Sequence, residues 1–476
     1  MTTTSTDPNF PTLHRVHRHG WLNDPNGIMR HDGRWHVFFQ YNPDDVVSHQ
    51  IRWGHVSSPD LVSWRAEPDG PTPRPGQADQ AGCWTGVGRV VDGDPWVFYA
   101  GVDNTDDEFS RVVAQKGSAD LSVFTPVPHV VADVPDEPGI EGVRDPFLLE
   151  FEGRRFAVQG AMLSRGARTG GDQAGHVGAI LAWDASDLTD WRYLGPVVTT
   201  EDPVGSQVAA ADIWECPQLF PLRDGGDDDA SSGGARWVLV VSLWTRDPET
   251  GHVTLGGVSY LVGDLSLEAA DRSARTGHTD ISADRLCFTP ASGGSVDVGP
   301  DFYAPEVHVD PETGRVLLWG WSWEDASRTP EQTRAQGWAG CLTFPRELRL
   351  AGGNLTAMYP EELTALRTEE IPLVGRTVQL GPGERAEIHS TDGLLVEVVD
   401  SDGGRRTVAG VHHGAATVTI DASVLEILPE HDVPGTWREY LSPSQTWSVS
   451  GELDAAWRLE NTGAAARSEQ GTEVSS

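Results

Sequence analysis

Gly27-Ile28-Met29-Arg30-His31-Asp32-Gly33-Arg34-Trp35-His36-Val37-Phe38-Phe39-Gln40-Tyr41 reads as one β-hairpin. A short apolar run meets an Asp-Gly turn, and a longer run of aromatic and β-branched residues follows. Asp-Gly supplies the positive φ that a tight turn needs. The same grammar recurs four times. Val87–Val91, Asp92-Gly93 and Trp96–Ala100 form the second hairpin; Pro146–Phe151, Glu152-Gly153 and Phe156–Gln159 form the third. Gln218–Leu222, the loop Asp224–Gly234 and Trp237–Leu243 form the fourth; Val307–Val309, Asp310–Gly314 and Val316–Trp321 form the fifth.

The second strands begin at Trp35, Trp96, Phe156, Trp237 and Val316, in steps of 61, 60, 81 and 79 residues. Four units also share a closing element: Asp60-Leu61 with Trp64, Asp120-Leu121 with Phe124, Asp187-Leu188 with Trp191, and Asp264-Leu265. Units of this length with three or four strands predict an all-β chain built on a five-bladed β-propeller. A β-sandwich with coincidental hairpins is the competing reading. Beyond Arg367 the pattern changes to short alternating runs: Val378–Leu380, Ala386–His389, Leu394–Val399, Val408–His412, Ala416–Ile420, Leu425–Leu428 and Trp447–Val449. These predict a small antiparallel β-sandwich. The expected division is a propeller at 9–367 and a sandwich at 371–460, with 1–8 and 461–476 disordered. The acidic, glycine-rich run 224–234 is expected as a solvated loop, since it lacks the ligand spacing of a calcium loop.

The 476 residues carry a net charge of −36, which excludes nucleic acid and anionic membrane surfaces as natural partners. No apolar window is long enough to span a bilayer, and the first residues lack the apolar core of a secretory signal, so a cytoplasmic protein is expected. Four cysteines without a CxxC pair make no disulfide scaffold, and no metal or cofactor motif is present. Eighteen tryptophans, with 53 Gly and 32 Pro, fit a turn-rich all-β chain with aromatic surfaces.

Three carboxylates fall at the same distance before their hairpins. Asp24 precedes Trp35 by 11 residues, and Asp145 precedes Phe156 by 11. Glu215 precedes Trp237 by 22, of which 11 belong to the 224–234 loop. All three are expected on the first strand of a blade, which lines the propeller channel, so they should converge. Three acids in an aromatic pocket suit glycoside hydrolysis, which needs one protonated acid at the leaving oxygen and one ionised carboxylate at the anomeric carbon. Crowding separates their pKa values. Glu215, with the longer reach, is the natural acid/base and Asp24 the natural nucleophile. Asp145, beside Arg144, is placed to bind hydroxyls and stabilise developing charge.

The motifs Trp21-Leu22-Asn23-Asp24-Pro25-Asn26-Gly27, Phe39-Gln40-Tyr41-Asn42-Pro43, Trp53-Gly54-His55, Arg144-Asp145-Pro146 and Trp214-Glu215-Cys216-Pro217 stand in order. Asp301-Phe302-Tyr303-Ala304, Trp319-Gly320-Trp321 and Pro345-Arg346-Glu347-Leu348 follow. Together they resemble glycoside hydrolase family 32, the β-fructofuranosidases, over roughly Gly20 to Arg367. The resemblance implies a propeller followed by a sandwich. It implies Asp24 as nucleophile, Glu215 as acid/base, Asp145 as transition-state stabiliser, and retention at the fructosyl carbon. It also implies that Asn23, Gln40, Trp53 and Arg144 line a fructose pocket. Trp84-Thr85-Gly86 stands where the family has an aromatic-Ser-Gly motif, and Trp321 matches a position that walls the pocket. The expected activity is hydrolysis of terminal β-fructosyl bonds in sucrose or short fructo-oligosaccharides. Fructosyl transfer and sucrose 6-phosphate hydrolysis use the same chemistry. A hydrolase of arabinan or xylan, or a non-catalytic sugar-binding propeller, fits the motifs less well.

Overall fold

The computed structural model describes residues 7–104, 108–165, 175–225, 235–269 and 284–461. Most of the expected solvated loop (226–234), most of the expected C-terminal tail (462–476) and Met1–Thr6 lie outside the described residues. Asp7 and Pro8, expected to be disordered, are held in place: the Asp7 carboxylate accepts the Trp338 indole N–H at 3.0 Å.

The chain forms a five-bladed propeller and a C-terminal β-sandwich. Blade one contains β1 (Gly20–His31), β2 (Arg34–Asn42), β3 (Arg52–Ser58) and β4 (Arg65–Ala66). Blade two contains β5 (Gly82–Val91), β6 (Asp94–Val102), β7 (Arg111–Gly117) and β8 (Phe124–Pro126). Blade three contains β9 (Ile140–Phe151), β10 (Arg154–Ser164), β11 (His176–Asp184) and β12 (Arg192–Thr199). Blade four contains β13 (Ile213–Arg223), β14 (Ala235–Arg246), β15 (Val253–Glu268) and β16 (Arg285–Ser295). Blade five begins with β17 (Tyr303–Val309) and β18 (Val316–Ser322) and ends with β21 (Arg346–Ala351) and β22 (Asn354–Met358). Between them lie α1 (Pro330–Gln336), β19 (Trp338–Ala339) and β20 (Cys341–Leu342).

Each blade is an antiparallel sheet with its first strand innermost. The Asp-Gly and Glu-Gly turns behave as their chemistry demands. Asp32-Gly33, Asp92-Gly93 and Glu152-Gly153 all adopt positive φ, closing two-residue loops between His31 and Arg34, Val91 and Asp94, and Phe151 and Arg154. Aromatic rings fill the gaps between blades. Trp191 packs 5.4 Å from Phe98, Trp237 packs 5.4 Å from Phe151, and Trp35 packs 6.3 Å from Trp319. The shared closing element is a turn in blades one and two, where Leu61 and Leu121 take positive φ. In blade four it is not: Asp264-Leu265 lies inside β15, paired with Thr289 and Phe288 of β16.

The ring closes through the blade-five excursion. β19 pairs in parallel with the start of β1, matching Gly20 with Trp338 and Trp21 with Ala339. Arg15, fully buried, reinforces that seam. Its guanidinium donates to the carbonyls of Ala339 at 2.5 Å, Gly20 at 2.6 Å, His19 at 2.8 Å and His17 at 2.6 Å, and also to that of Gly340. Burial lowers its pKa to about 10, which leaves it charged at neutral pH.

The sandwich contains β23 (Arg367–Glu370), β24 (Thr377–Leu380), β25 (Arg385–Val399), β26 (Arg405–Val411), β27 (Ala416–Asp421), β28 (Val424–Pro429), β29 (Gly435–Arg438) and β30 (Thr446–Leu459). The two runs 386–389 and 394–399, expected as separate strands, are one bent strand, β25. Its first half pairs with β27 and its second half with β26, while β30 runs along both. An irregularity between Ser390 and Leu394 makes the bend, so the intervening Thr-Asp-Gly, which reads as a turn, is a kink. The sandwich meets blade five through buried charge. Arg346 of β21 binds Asp297 at 2.7 Å and Glu426 of β28 at 2.6 Å, and His14 bridges Asp421 at 2.8 Å and Glu426 at 3.0 Å.

Replacing Arg15 with Met takes the guanidinium from the buried carbonyls of Gly20, Ala339 and Gly340 and from the more exposed ones of His17 and His19. The expected cost is about 3–5 kcal/mol of stability. Denaturant unfolding of Arg15→Met against the parent measures it; a loss below about 1 kcal/mol would show that the seam closes without the guanidinium.

Candidate active site

The innermost strands are not plain strands. In every blade, two residues of the first strand face one residue of the second. Asn23 and Asp24 face Gln40; Trp84 and Thr85 face Ala100; Asp145 and Pro146 face Gln159. Cys216 and Pro217 face Val241, and Ala304 and Pro305 face Gly320. Such a bulge bends the strand and re-aims its side chains. In blades three, four and five its first residue adopts positive φ: Asp145 at 59°, Cys216 at 48° and Ala304 at 45°. Non-glycine residues are strained there, and strain of this kind gathers at functional sites.

The register corrects the expectation of a common phase. Asp24 is the second bulge residue of its blade, Asp145 the first, and Glu215 the residue before the bulge, paired with Ser242. The three carboxylates occupy three successive positions, and they still converge. The Cys216 thiol lies 3.9 Å from Asp24 Oδ2 and 3.6 Å from Asp145 Oδ2, on the residue next to Glu215.

Each carboxylate has its own partners. Asp24, 9% exposed, accepts from Thr85 Oγ1 at 2.6 Å and Gln40 Nε2 at 2.9 Å on one oxygen, and from Asn23 Nδ2 at 3.2 Å on the other. Asp145, 4% exposed, accepts the Cys216 backbone N–H at 2.9 Å. Glu215 accepts the Tyr303 hydroxyl at 2.8 Å and lies 3.3 Å from Arg144 Nε. That Nε–H is not aligned for a hydrogen bond, so the Arg144–Glu215 contact is one of charge alone.

Burial pushes Asp24 up to about 6, against its Thr85 hydrogen bond and with the Glu215 charge adding to the rise. Burial and then the Glu215 charge push Asp145 up to about 7, against Arg144. Burial also raises Glu215, although Arg144 and the Tyr303 hydroxyl pull it down. Near neutral pH the cluster therefore holds shared protons on carboxylates close enough to act on one sugar.

The expected pocket residues divide. Asn23, Gln40 and Thr85 join Asp24 in one hydrogen-bonded chain, with Asn23 Nδ2 donating to Gln40 Oε1 at 3.1 Å and Gln40 Nε2 to Thr85 at 2.8 Å. Trp84 is half-buried beside it. Trp321 forms an aromatic wall with Trp21 at 5.8 Å and Trp323 at 5.6 Å, and Tyr303 stacks behind at 5.4 Å from Trp323. Arg144 is buried against Glu215. Trp53 departs from expectation: it is fully buried, packed on Phe38 and Tyr99, and its indole donates to the Trp84 carbonyl at 3.0 Å. It supports Trp84 from behind instead of lining the pocket.

Tyr303, Glu108, Trp244 and Arg246 complete the site and were not assigned roles from sequence. Tyr303 had a signal, because it holds the same register position in blade five as Glu215 in blade four. The others come from long connections and strand ends that carry no motif. Among the described residues no cluster of His, Cys, Asp and Glu is arranged to hold a metal. A cavity of about 630 Å³ opens at the opposite mouth of the channel, lined by the hairpin turns around Met29, Arg89, Phe147, Phe220 and His308, and contains none of the three carboxylates.

With this geometry in view, the sequence comparison is decisive: the family model described as the glycosyl hydrolases family 32 N-terminal domain matches residues 14–360. The chain belongs to glycoside hydrolase family 32. It is 30% identical over 395 residues to β-fructofuranosidase, insoluble isoenzyme 4, of Oryza sativa subsp. japonica, covering 79% of this chain and 59% of the rice enzyme. The chain thus spans about three-fifths of that relative's length. It is 30% identical over 447 residues to the sucrose-6-phosphate hydrolase of Klebsiella pneumoniae, covering 88% of this chain and 86% of that one. A solved family 32 β-fructofuranosidase of Bombyx mori superposes with a TM-score of 0.70 at 23% identity, over 95% of this chain and 94% of that one, and shares the fold.

Thr85→Val removes the shortest hydrogen bond to Asp24 and keeps the side-chain shape. The Asp24 carboxyl should then ionise about one pH unit higher. Infrared titration of the carboxyl band, assigned by difference from Asp24→Asn, measures this; an unmoved midpoint would exclude Thr85 as the group that keeps Asp24 ionisable.

Proposed function

We propose that this member of family 32 is a retaining β-fructofuranosidase that releases terminal fructose from sucrose or short fructo-oligosaccharides. The observation that carries the reading is the convergence of Asp24, Asp145 and Glu215 on one thiol at the channel mouth, with unequal surroundings. Asp24 attacks the anomeric carbon of the fructosyl unit. Its neighbours Thr85, Gln40 and Asn23 are all donors to the charged form, which suits a nucleophile that must be ionised. Glu215 gives its proton to the leaving glycosidic oxygen as that bond breaks and a fructosyl ester forms on Asp24. Water then attacks the ester, Glu215 takes the water's proton, and fructose leaves with retained configuration. Asp145, fixed by the Cys216 N–H, binds ring hydroxyls and stabilises positive charge as it develops on the fructosyl ring.

The relatives' names support a fructoside substrate, and the aromatic wall of Trp21, Trp321 and Trp323 supports a sugar ring held by its apolar face. A second reading, hydrolysis of sucrose 6-phosphate, draws on the Klebsiella relative and on Arg246, a partly exposed cation that shares Glu108 with Arg144. Arg246 is already paired with Glu108, which favours a neutral sugar. Four free cysteines, three of them buried, support a reducing compartment.

Asp24→Asn should lower kcat on sucrose by about 10⁴-fold or more, and Glu215→Gln by about 10²–10⁴-fold, with thermal unfolding unchanged within a few degrees. Product analysis with sucrose, sucrose 6-phosphate, 1-kestose, inulin and levan, run side by side, fixes the substrate. An Asp24→Asn variant that still turns over at the parent rate would sink the reading.

The kcat/KM profile of the parent should rise with pH through about 6, as Asp24 loses its proton, and fall at higher pH as Glu215 loses its own. The sign follows from the roles: the nucleophile works deprotonated and the acid protonated. A profile that increases steadily as pH falls below 5 would contradict the assignment.

A further inference from the structure

We propose that Glu108, on the connection between β6 and β7, is a positioning residue that holds Arg144 back from the acid/base carboxylate Glu215. The inference rests on the reading of Glu215 given above.

The geometry is a relay of alternating charge. Glu108 Oε2 accepts from Arg144 at 3.0 Å, and its other oxygen accepts from Arg246 at the end of β14. Both guanidinium groups lie over the Trp244 ring, Arg144 at 5.8 Å and Arg246 at 4.8 Å from its centroid. One carboxylate and one indole therefore fix two cations. The Glu108 backbone is itself pinned to the strand that carries Arg144. The Val143 N–H donates to the Glu108 carbonyl at 3.2 Å, and the Ser110 N–H donates back to the Val143 carbonyl at 3.0 Å. Glu108 thus sits in register with Arg144 and cannot drift from it.

The consequence appears on the other side of Arg144. Its Nε is 3.3 Å from Glu215 Oε1 yet makes no hydrogen bond there, while its terminal nitrogen is well bonded to Glu108. The guanidinium is oriented by Glu108, and Glu215 receives only its field. An unopposed Arg144 would make a charge-assisted hydrogen bond to Glu215 and favour its ionised form. An acid that must deliver a proton near neutral pH works against exactly that pairing, and Glu108 prevents it. Burial also raises Glu215, and the Glu108 charge adds to the rise. Despite partial burial, Glu108 itself is held below the usual carboxylate range by Arg144 and Arg246, so it stays charged throughout the working pH range.

The other charged and titratable groups facing Glu215 are Asp145 from β9, Asp24 from β1, Tyr303 from β17 and the Cys216 thiol beside it. Beyond Arg246, Asp212 accepts the Arg246 backbone N–H and lies 3.8 Å from His176, which pairs with Glu141 at 2.9 Å. None of these contacts replaces Glu108 on Arg144.

The test uses the full chain carrying Glu108→Gln, Glu108→Asp or Arg246→Gln. The Glu215 carboxyl is followed by infrared titration, assigned by difference from Glu215→Gln, and kcat/KM on sucrose is followed against pH. Glu108→Gln should lower the Glu215 midpoint and the alkaline limb of the rate profile together by about one pH unit. Glu108→Asp, which keeps the charge, should restore most of that shift. Arg246→Gln frees Glu108 to hold Arg144 alone and removes a cation, so it should move the midpoint upward, and it decides the matter if Glu108→Gln does not fold. A Glu108→Gln protein that loses rate with both midpoints unmoved would show a merely structural role and overturn the proposal, as would an upward shift. If the parent does not hydrolyse sucrose, the functional reading fails on its own, and the infrared midpoints still decide the role of Glu108.

Discussion

Five innermost strands converge on one axis, and a strand's side chains alternate strictly between its two faces. A plain strand would place at most every second residue toward the sugar. The two-for-one bulge near the head of each innermost strand breaks that alternation, and the site depends on it. It brings three successive register positions to one pocket, which is why Asp24, Asp145 and Glu215 meet although no two share a position. The bulge also frees backbone N–H groups from the ladder, and the neighbouring blade satisfies them. Asn26 Oδ1 accepts from Gly86 N at 3.0 Å, Asp145 from Cys216 N at 2.9 Å, and Ser242 Oγ from Ala304 N at 3.1 Å. Blade-to-blade stitching and active-site construction are therefore one set of contacts, and Asp145 belongs to both.

The electrostatics follow from that crowding. A buried carboxylate costs desolvation, and three together also repel, so each must be treated differently to leave one ionised and one protonated. The structure achieves this with hydrogen-bond donors and with the Arg144 charge, which acts on Asp145 and Glu215 through its field. Asp24 receives three side-chain donors and Asp145 a backbone N–H. Glu215 receives one hydroxyl and a guanidinium that is turned elsewhere. The Cys216 thiol, pushed far above its ordinary pKa by burial and by the surrounding acids, stays neutral and occupies the middle of the cluster without adding charge.

What was legible in the sequence is what local chemistry dictates. Asp32-Gly33, Asp92-Gly93 and Glu152-Gly153 announce tight turns because few other pairs tolerate two positive φ values, and their spacing reveals the blades. Asp24, Asp145 and Glu215 stand out because each lies 11 residues before the second strand of its hairpin once the 224–234 loop is set aside. The count missed the stagger because a bulge adds a residue without any mark in composition: Cys216 and Ala304 take a glycine-like conformation with ordinary side chains. Trp53 was misplaced for a related reason. Its motif shows that the ring matters, but which face of β3 it leaves depends on pairing register. Thr391-Asp392-Gly393 reads as a turn and is a kink, because β30 runs past it and holds β25 together. Glu108 carries no signal, since its effect requires a connection to fold back onto β9.

The charge balance takes on a different meaning inside the protein. A chain with 71 acidic and 35 basic residues spends several of its few cations in the interior. Arg15, Arg346 and Arg438 are among its largest fully buried side chains. Each sits where separate pieces of chain must be joined: Arg15 at the seam between β1 and β19, Arg346 between blade five and β28, and Arg438 between β29 and the carbonyls of Ser322 and Trp323. An ammonium group offers three donors around a point; a guanidinium offers five in a rigid plane. Arg15 serves five carbonyls drawn from two segments more than 300 residues apart, a task that only the planar group matches. Only one of the 35 basic residues is a lysine, Lys116, and this is no obstacle to the fold, because the positions where a cation decides the architecture are ones that lysine could not fill. The excess acid lies mostly outside, and the site's own acids are governed by neighbours within a few ångströms, not by the net charge.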